Sequence, residues 1–138
     1  MANEPGRAEV EAILQRRPRP SISAVNLAEA AERLVRIHGR DESAVRDRID
    51  WLIASDMEVE PVWLRVARAA ASIRARHYHR EHAPISHADA ICIATALALD
   101  TDLATSDRDL ADVAVAAGVE VVALPDSKGA RPGVADSR

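Results

Sequence analysis

A chain of 138 residues is long enough for one domain with a single core and too short for two. Its 48% hydrophobic content is typical of a globular protein, and its apolar runs are too short to span a bilayer. The net charge of −4 argues against nucleic-acid binding through overall positive charge alone. The single cysteine, Cys92, has no intrachain partner and the N-terminus lacks a signal-peptide pattern, so we expect a cytoplasmic protein without membrane association.

Helix and strand patterns alternate along the chain. Apolar spacing and the positions of Gly and Pro predict helices over residues 7–15, 26–37, 41–54, 61–80, 86–99 and 107–117. Short apolar segments predict strands over residues 21–25, 57–62, 102–106 and 119–124. This order predicts an α/β layer fold with a mainly parallel sheet, which binds ligands beyond the carboxyl ends of its strands. The domain is expected to cover residues 1–124, and the polar, Gly- and Pro-containing segment 125–138 is expected to be a disordered tail.

Three acids, Glu29, Asp89 and Asp107, fall at or near predicted helix starts. Each has a purely structural explanation. Asp89 stands three residues after Ser86, as in a capping box, Glu29 stands in the same relation to Asn26, and Asp107 is placed to cap its own helix.

Together, the three acids are expected at one edge of the sheet. Clustered carboxylates repel one another unless a cation compensates their charge, so the combination predicts a metal site. Oxygen ligands favour Mg²⁺, with Mn²⁺ as a substitute, and such a site can activate a water and stabilise charge on a phosphoryl oxygen. Asp109 is either an auxiliary acid of this site or a charge that favours the positive end of its helix.

The stretch between Leu64 and His82 carries local positive charge. It holds one acid, Glu81, against the arginines Arg65, Arg68, Arg74, Arg76 and Arg80. Such a run is usually a solvated helix face, and binding of phosphates is the alternative interpretation. The three histidines of this stretch, His77, His79 and His82, do not share one helix face, which disfavours a zinc site.

The segments "SISAVNLAEAAERL", "HADAICIATALAL" and "LATSDRDL" resemble successive signatures of the PIN-domain ribonucleases, in particular the VapC-type toxins of bacterial toxin–antitoxin pairs. The resemblance runs in the family's order from about Glu4 to Leu124. It implies a three-layer α/β/α fold and a Mg²⁺-dependent endoribonuclease. It also implies a homodimer and a cognate, VapB-like antitoxin whose C-terminal segment covers the site.

Carried over by position, the resemblance makes Glu29, Asp89 and Asp107 the catalytic, metal-binding acids, with Asp109 as an optional fourth ligand. Thr105 and Ser106 become neighbouring hydroxyls that contact substrate. Arg74, Arg76 and Arg80 would help to hold the phosphates of the RNA.

The chain departs from the family at its beginning. Family members open with a central strand that carries an aspartate, whereas this sequence starts at "MANEPGRAEVEAIL", which matches the family pattern only beyond that strand. Loss of a central strand is expected to expose unpaired backbone groups on both neighbouring strands. Either the true start of the protein lies upstream of Met1, or the chain is an inactive PIN remnant that retains antitoxin binding, which is the alternative to an active nuclease. An RNA-processing protein without a toxin role is a third interpretation.

Overall fold

The computed structural model describes residues 4–133 of the chain. Within that range the helices are α1 (Arg7–Leu14), α2 (Ala24–Arg36), α3 (Glu42–Ser55), α4 (Leu64–His77), α5 (His87–Leu99) and α6 (Arg108–Ala116). The strands are β1 (Ser21–Ser23), β2 (Glu58–Glu60), β3 (Leu103–Thr105) and β4 (Val121–Ala123). The α/β fold with parallel strands that the sequence predicts is confirmed.

Most element boundaries differ from the prediction by one to three residues, among them the end of α4, which lies at His77 and not at Arg80. Two of the differences are at the ends of elements near β1 and α4. The first strand ends at Ser23, since its hydroxyl accepts a hydrogen bond from the Asn26 N–H at 3.1 Å and so caps α2, which begins at Ala24. The helix expected from Pro61 begins at Leu64, because Trp63 has an extended backbone (ψ 159). Both shifts have a local cause: an N-cap residue must leave the helical region of the backbone before the helix can begin.

The strands form two separate parallel pairs. Strand β1 pairs with β2 in the register Ser21 to Glu58, and β3 pairs with β4 in the register Leu103 to Val121. Within residues 4–133, no strand joins β1 to β3. This agrees with the expectation that a central strand is missing between them.

The core lies around α5. Ile85 and Ile93 are the largest fully buried side chains, and they share one apolar cluster with Val66 of α4, Leu103 of β3 and Val113 of α6. Helices α4 and α5 pack closely, and α6 contacts both β3 and β4. The helix expected to be buried on nearly all sides is buried along Ala90 to Ala96, while Leu97 and Leu99 remain exposed.

Helices α2 and α3 border an open apolar groove. Its volume is about 590 Å³, and apolar side chains from both helices line it, among them Leu27, Ala31, Val35, Val45 and Ile49. Charged residues such as Glu32 and Arg46 stand at its rim. The apolar stripe of α2 therefore faces a groove instead of a covered core.

The segment after β4 is described as far as Gly133, while the last five residues of the predicted tail lie outside the described residues. Asp126 organises a turn, since its Oδ1 accepts hydrogen bonds from the N–H groups of Lys128 and Ala130. Arg131 then reaches back to donate to Glu9 of α1 at 2.8 Å and to the Ala123 carbonyl of β4 at 2.7 Å. These contacts attach residues 126–131 to α1 and β4.

Candidate functional site

The starts of α2 and α5 are held side by side. The Asn26 side-chain amide donates a hydrogen bond to the Ala88 carbonyl at 3.1 Å, across 62 positions of sequence. Because α2 begins at the carboxyl end of β1, this bond brings the first turn of α5 to that same edge of the sheet. Ligands of α/β folds bind at such an edge, so the hydrogen bond from Asn26 positions the two helix starts that border the candidate site.

Asp89 lies in the first turn of α5 and forms the predicted capping box. Its Oδ2 accepts a hydrogen bond from the Ser86 N–H at 2.7 Å, and the Ser86 hydroxyl accepts one from the Asp89 N–H at 3.0 Å. The side chain is half-buried. Since the box engages Oδ2, Oδ1 of Asp89 is the oxygen that can receive a cation or a ligand.

Asp107 caps α6 directly after β3, as predicted. Its Oδ1 accepts a hydrogen bond from the Leu110 N–H at 3.0 Å, and its own N–H donates to the Thr105 hydroxyl at 3.0 Å. Thr105 is buried, with 9% of its surface exposed, whereas Ser106 and Asp107 are exposed. Thr105 therefore fixes the backbone that presents Asp107, and Asp109 follows half-buried in the first turn of α6.

Glu29 stands exposed on α2, almost one helical turn after Asn26. The alternative that Glu29 completes a capping box with Asn26 is wrong, because Ser23 is the N-cap of this helix. Asn26 itself occupies the position three residues after that cap. This leaves both oxygens of Glu29 without a capping role.

The donor chemistry of these acids suits a hard divalent cation, because all the available atoms are carboxylate oxygens. Their grouping is looser than a formed metal centre. Among residues 4–133 no set of three or more His, Cys, Asp or Glu side chains lies close enough together to hold a metal ion. The assignment of Glu29, Asp89, Asp107 and Asp109 as ligands therefore stays a prediction.

The three arginines expected to contact substrate differ in their surroundings. Arg74 is half-buried, with its Nε donating to the Ile85 carbonyl at 3.1 Å and its guanidinium stacked 4.4 Å from the centre of the Tyr78 ring. Arg76 and Arg80 are exposed. Arg74 thus joins the end of α4 to the segment that leads into α5, while Arg76 and Arg80 have their charges in solvent.

Two histidines of the same segment stack on each other. The ring centres of His79 and His82 are 4.5 Å apart, and Nδ1 of His79 accepts hydrogen bonds from the N–H groups of Glu81 and His82. His79 also pairs through its backbone with Ala83. These contacts shape the turn before α5.

Cys92, one helical turn after Asp89, lies at the border of the site. Burial raises the pKa of its thiol to about 11, and the negative charge of Asp89 acts in the same direction. A thiol with such a pKa is protonated at neutral pH and is a weak nucleophile. Cys92 therefore fits a packing role.

The PIN-domain family matches residues 1–116, which is most of the chain. The combination of short parallel strands, connecting helices and acids at their junctions agrees with that match. The chain belongs to the PIN-domain family. No curated protein matches it significantly. Within residues 4–133, no helix has the length and hydropathy needed to cross a membrane.

The sequence pattern does not reveal the role of Asn26. Its spacing to Glu29 predicts a helix cap, whereas its side chain binds the backbone of a helix far along the chain. Its position, three residues before a candidate acid, is the available signal. That signal does not identify the partner, because a contact across 62 positions depends on how the helices pack.

Proposed function

We propose that the protein is a Mg²⁺-dependent endoribonuclease and the toxin of a VapBC-like toxin–antitoxin pair in the cytoplasm. The observation that carries the proposal is the PIN-domain match over residues 1–116. PIN domains are generally metal-dependent nucleases. The placement of Asp89 and Asp107 at helix starts, each with one carboxylate oxygen outside the capping bond, supports the same chemistry.

In this proposal Glu29, Asp89 and Asp107 hold the metal, with Asp109 as an additional ligand. The bound ion would supply an activated water and charge stabilisation for the phosphodiester. The chain's own groups do the positioning: Ser86 orients Asp89, and Thr105 orients the backbone of Asp107. Ser106, Arg76 and Arg80 are exposed and able to contact the RNA, whereas Arg74 would act mainly by fixing the turn before α5.

The proposed partners are a second copy of the chain and an antitoxin. The groove between α2 and α3 supports an antitoxin, since an amphipathic segment can place its apolar face against Leu27, Ala31 and Val45. The protein encoded by the neighbouring gene is the one to test. Its co-purification with this chain, and loss of the complex on Ala31→Glu, would support the pairing.

The nuclease is tested by Asp89→Asn. Asparagine keeps an oxygen that can accept the Ser86 N–H bond, so the helix cap is retained while the negative charge is lost. We expect RNA cleavage in Mg²⁺ to fall at least about 100-fold, since one charged ligand of a catalytic site is removed. Cleavage that is abolished by EDTA in the unchanged protein completes the expected result.

Asp41→Asn is the matched control. Asp41 caps α3 through the Ala44 N–H at 3.0 Å, so the substitution makes the same chemical change at a helix start. This cap follows the far end of α2, which is about 20 Å long at 1.5 Å per residue. Equal cleavage by the Asp89→Asn and unchanged proteins would refute the proposed ligand.

A catalytically inactive PIN remnant is the second candidate function. The loose grouping of the acids among the described residues favours it. Antitoxin binding without Mg²⁺-dependent cleavage of any RNA in a mixed pool would support the remnant. Metal-dependent cleavage that Asp89→Asn removes would exclude it.

A further inference from the structure

A single peptide group connects α4 to the carboxylate of Asp89. The Ile85 carbonyl accepts a hydrogen bond from Nε of Arg74 at 3.1 Å. The N–H of Ser86, which belongs to the same peptide group, donates to Oδ2 of Asp89 at 2.7 Å. Because this peptide is trans, its carbonyl and its N–H point in opposite directions. Arg74 and Asp89 therefore lie on opposite sides of one peptide group, and each is bound to it by a hydrogen bond.

The chain before this peptide group is anchored by contacts of its own. The Ile85 side chain has 1% of its surface exposed, and the Ile85 N–H donates to the Ala83 carbonyl at 2.8 Å. Ala83 is paired in turn with His79 through two backbone hydrogen bonds of 3.0 Å. These contacts end at the N–H of Ile85. The orientation of the following peptide group is set by Arg74 on one side and by Asp89 on the other.

The Arg74 side chain is itself held in place. Its guanidinium lies 4.4 Å from the centre of the Tyr78 ring, about one helical turn further along the chain, and the side chain is half-buried. A guanidinium that stacks on an aromatic ring can still donate hydrogen bonds in its own plane. Tyr78 therefore stabilises the position from which Arg74 donates to the Ile85 carbonyl.

A charged donor on the carbonyl strengthens the hydrogen bond on the other side of the peptide. Hydrogen bonds with an ionised partner are stronger than neutral ones, and hydrogen bonds in a chain polarise one another. The guanidinium of Arg74 thus makes the Ser86 N–H a better donor to the carboxylate of Asp89. Because that bond engages Oδ2, it holds the carboxylate in the orientation that leaves Oδ1 for a cation.

Two simpler roles for Arg74 make different predictions. If Arg74 only joins α4 to the start of α5, its loss should loosen the whole first turn of α5. If Arg74 binds a phosphate of the RNA, its positive charge is the essential property, and its loss should weaken RNA binding. Orientation of Asp89 requires instead the hydrogen bond to the Ile85 carbonyl.

We propose that Arg74 is a positioning residue for Asp89, that it acts through the peptide group between Ile85 and Ser86, and that it does not contact the RNA. The inference rests on the proposed nuclease function, in which Asp89 binds the metal. It assigns to Arg74 an effect on the rate of cleavage, whereas the exposed arginines Arg76 and Arg80 act on RNA binding.

Two variants separate the hydrogen bond of Arg74 from its charge. Glutamine carries Nε2 as many bonds from Cα as Nε of arginine, so Arg74→Gln can donate to the Ile85 carbonyl without a positive charge. Arg74→Met fills similar space and has no donor. We expect Arg74→Met to lower kcat in Mg²⁺ by about 10- to 100-fold, as for other residues that orient a metal ligand, with an unchanged KM for RNA. Arg74→Gln should be at least about fivefold faster than Arg74→Met, because a neutral hydrogen bond remains.

A second measurement requires neither RNA nor metal. It compares, by NMR, the hydrogen exchange of the Ser86 amide with that of the Ala90 amide, which donates to the Ser86 carbonyl in the first turn of α5. In Arg74→Met the Ser86 amide should exchange at least about tenfold faster than in the unchanged protein, while the Ala90 amide keeps its rate. In Arg74→Gln the Ser86 amide should exchange more slowly than in Arg74→Met.

Arg76→Met is the matched comparison. Arg76 lies on the same helix and is exposed, and the substitution makes the same chemical change. It should raise KM for RNA and leave the exchange of the Ser86 amide as it is. If Arg74→Met does not fold, Tyr78→Leu takes its place, because it removes the ring on which the guanidinium stacks. The Ser86 amide should then exchange faster and the Ala90 amide should not.

Two results would overturn the proposal. A rise in KM that is equal in Arg74→Met and Arg74→Gln, without a change in kcat, would make Arg74 a phosphate contact. Equal acceleration of the Ser86 and Ala90 amides would reduce Arg74 to a link between α4 and α5. Absence of cleavage by the unchanged protein would refute the nuclease instead, and the exchange of the two amides would still decide whether Arg74 positions Asp89.

Discussion

The two strand pairs are alike, since each consists of two short parallel strands, but the residues packed around them differ greatly in burial. Around β3 and β4 the chain builds a closed core, in which Ile93, Ala94, Leu103 and Ala114 each expose 5% or less of their surface. Around β1 and β2, helix α2 has no fully buried residue and α3 has only Val45 among the described residues. We call these regions the compact half and the open half.

The difference shows that helix formation and helix burial have separate causes. Helix α2 has its N-cap at Ser23 and a regular apolar stripe, so its local sequence suffices to define its secondary structure. The stripe nevertheless borders the groove with α3, and its residues Leu27, Ala31 and Val35 are only half-buried. Burial provides most of the stability of a helix in a protein, so the open half should be the less stable region.

The largest expected effect is that of truncation in the compact half. Ile93→Ala removes a side chain with 0% exposure and should lower the free energy of unfolding by about 2–5 kcal/mol. Leu27→Ala, at a half-buried position in the groove, should cost about 1 kcal/mol or less. Urea unfolding of both variants, followed by circular dichroism, measures the two losses.

The same pair of variants also tests whether the two halves differ in stability at all. Similar losses in the free energy of unfolding for Ile93→Ala and Leu27→Ala would mean that the groove is covered in solution. The open half would then be as well buried as the compact half. Val35→Ala, another position on the groove side of α2, checks that the result is not particular to Leu27.

Much of the fold was predictable because its signals are local. The order of helices and strands is determined by hydrophobic period and by Gly and Pro positions, and the caps at Ser86 and Asp107 by short-range spacing. The absence, among residues 4–133, of a strand that joins β1 to β3 could be predicted by comparing the chain with its family. The disordered tail expected over residues 125–138 remains a prediction: residues 126–131 make the hydrogen bonds of Asp126 and Arg131, and residues 134–138 are outside the described range.

The candidate site was less predictable, because it depends on packing between distant segments. The three acids could be named from their positions relative to predicted helix starts, but their separation could not. The Asn26–Ala88 bond and the contacts of Arg74 with Ile85 and Tyr78 are likewise tertiary. Charge and spacing alone made Arg74 look equivalent to Arg76, although only Arg76 of the two is exposed.

A smaller effect is expected from helix caps in the two halves. Asp107 and Asp41 cap α6 and α3 with equivalent hydrogen bonds, 3.0 Å from the N–H groups of Leu110 and Ala44. Asp107→Ala should lower the global free energy of unfolding by about 1 kcal/mol. Asp41→Ala should lower it less, because α3 opens before the compact half unfolds, and should instead speed amide exchange within α3. Equal global losses would show that both halves unfold as one unit.

The smallest expected effect concerns the ion pair between Arg131 and Glu9, which attaches the segment after β4 to α1. The hydrogen bond from Arg131 holds the pKa of Glu9 below its usual range, and the charge of Arg131 acts in the same direction. A carboxyl group with a lowered pKa stabilises the folded arrangement above its ordinary pKa. That contribution is lost as the pH falls through the lowered value. Acidification should therefore release Arg131 from α1.

In Arg131→Gln, NMR titration of the Glu9 carboxyl should show its pKa returning toward the ordinary range, with little change in global stability, because both side chains are exposed. Arg7→Gln is the control, since Arg7 pairs with Glu11 on the same helix and its loss should leave the Glu9 titration unchanged. An unaltered Glu9 titration in Arg131→Gln would show that residues 126–131 are not held on α1 in solution, and the compact half would then end at β4.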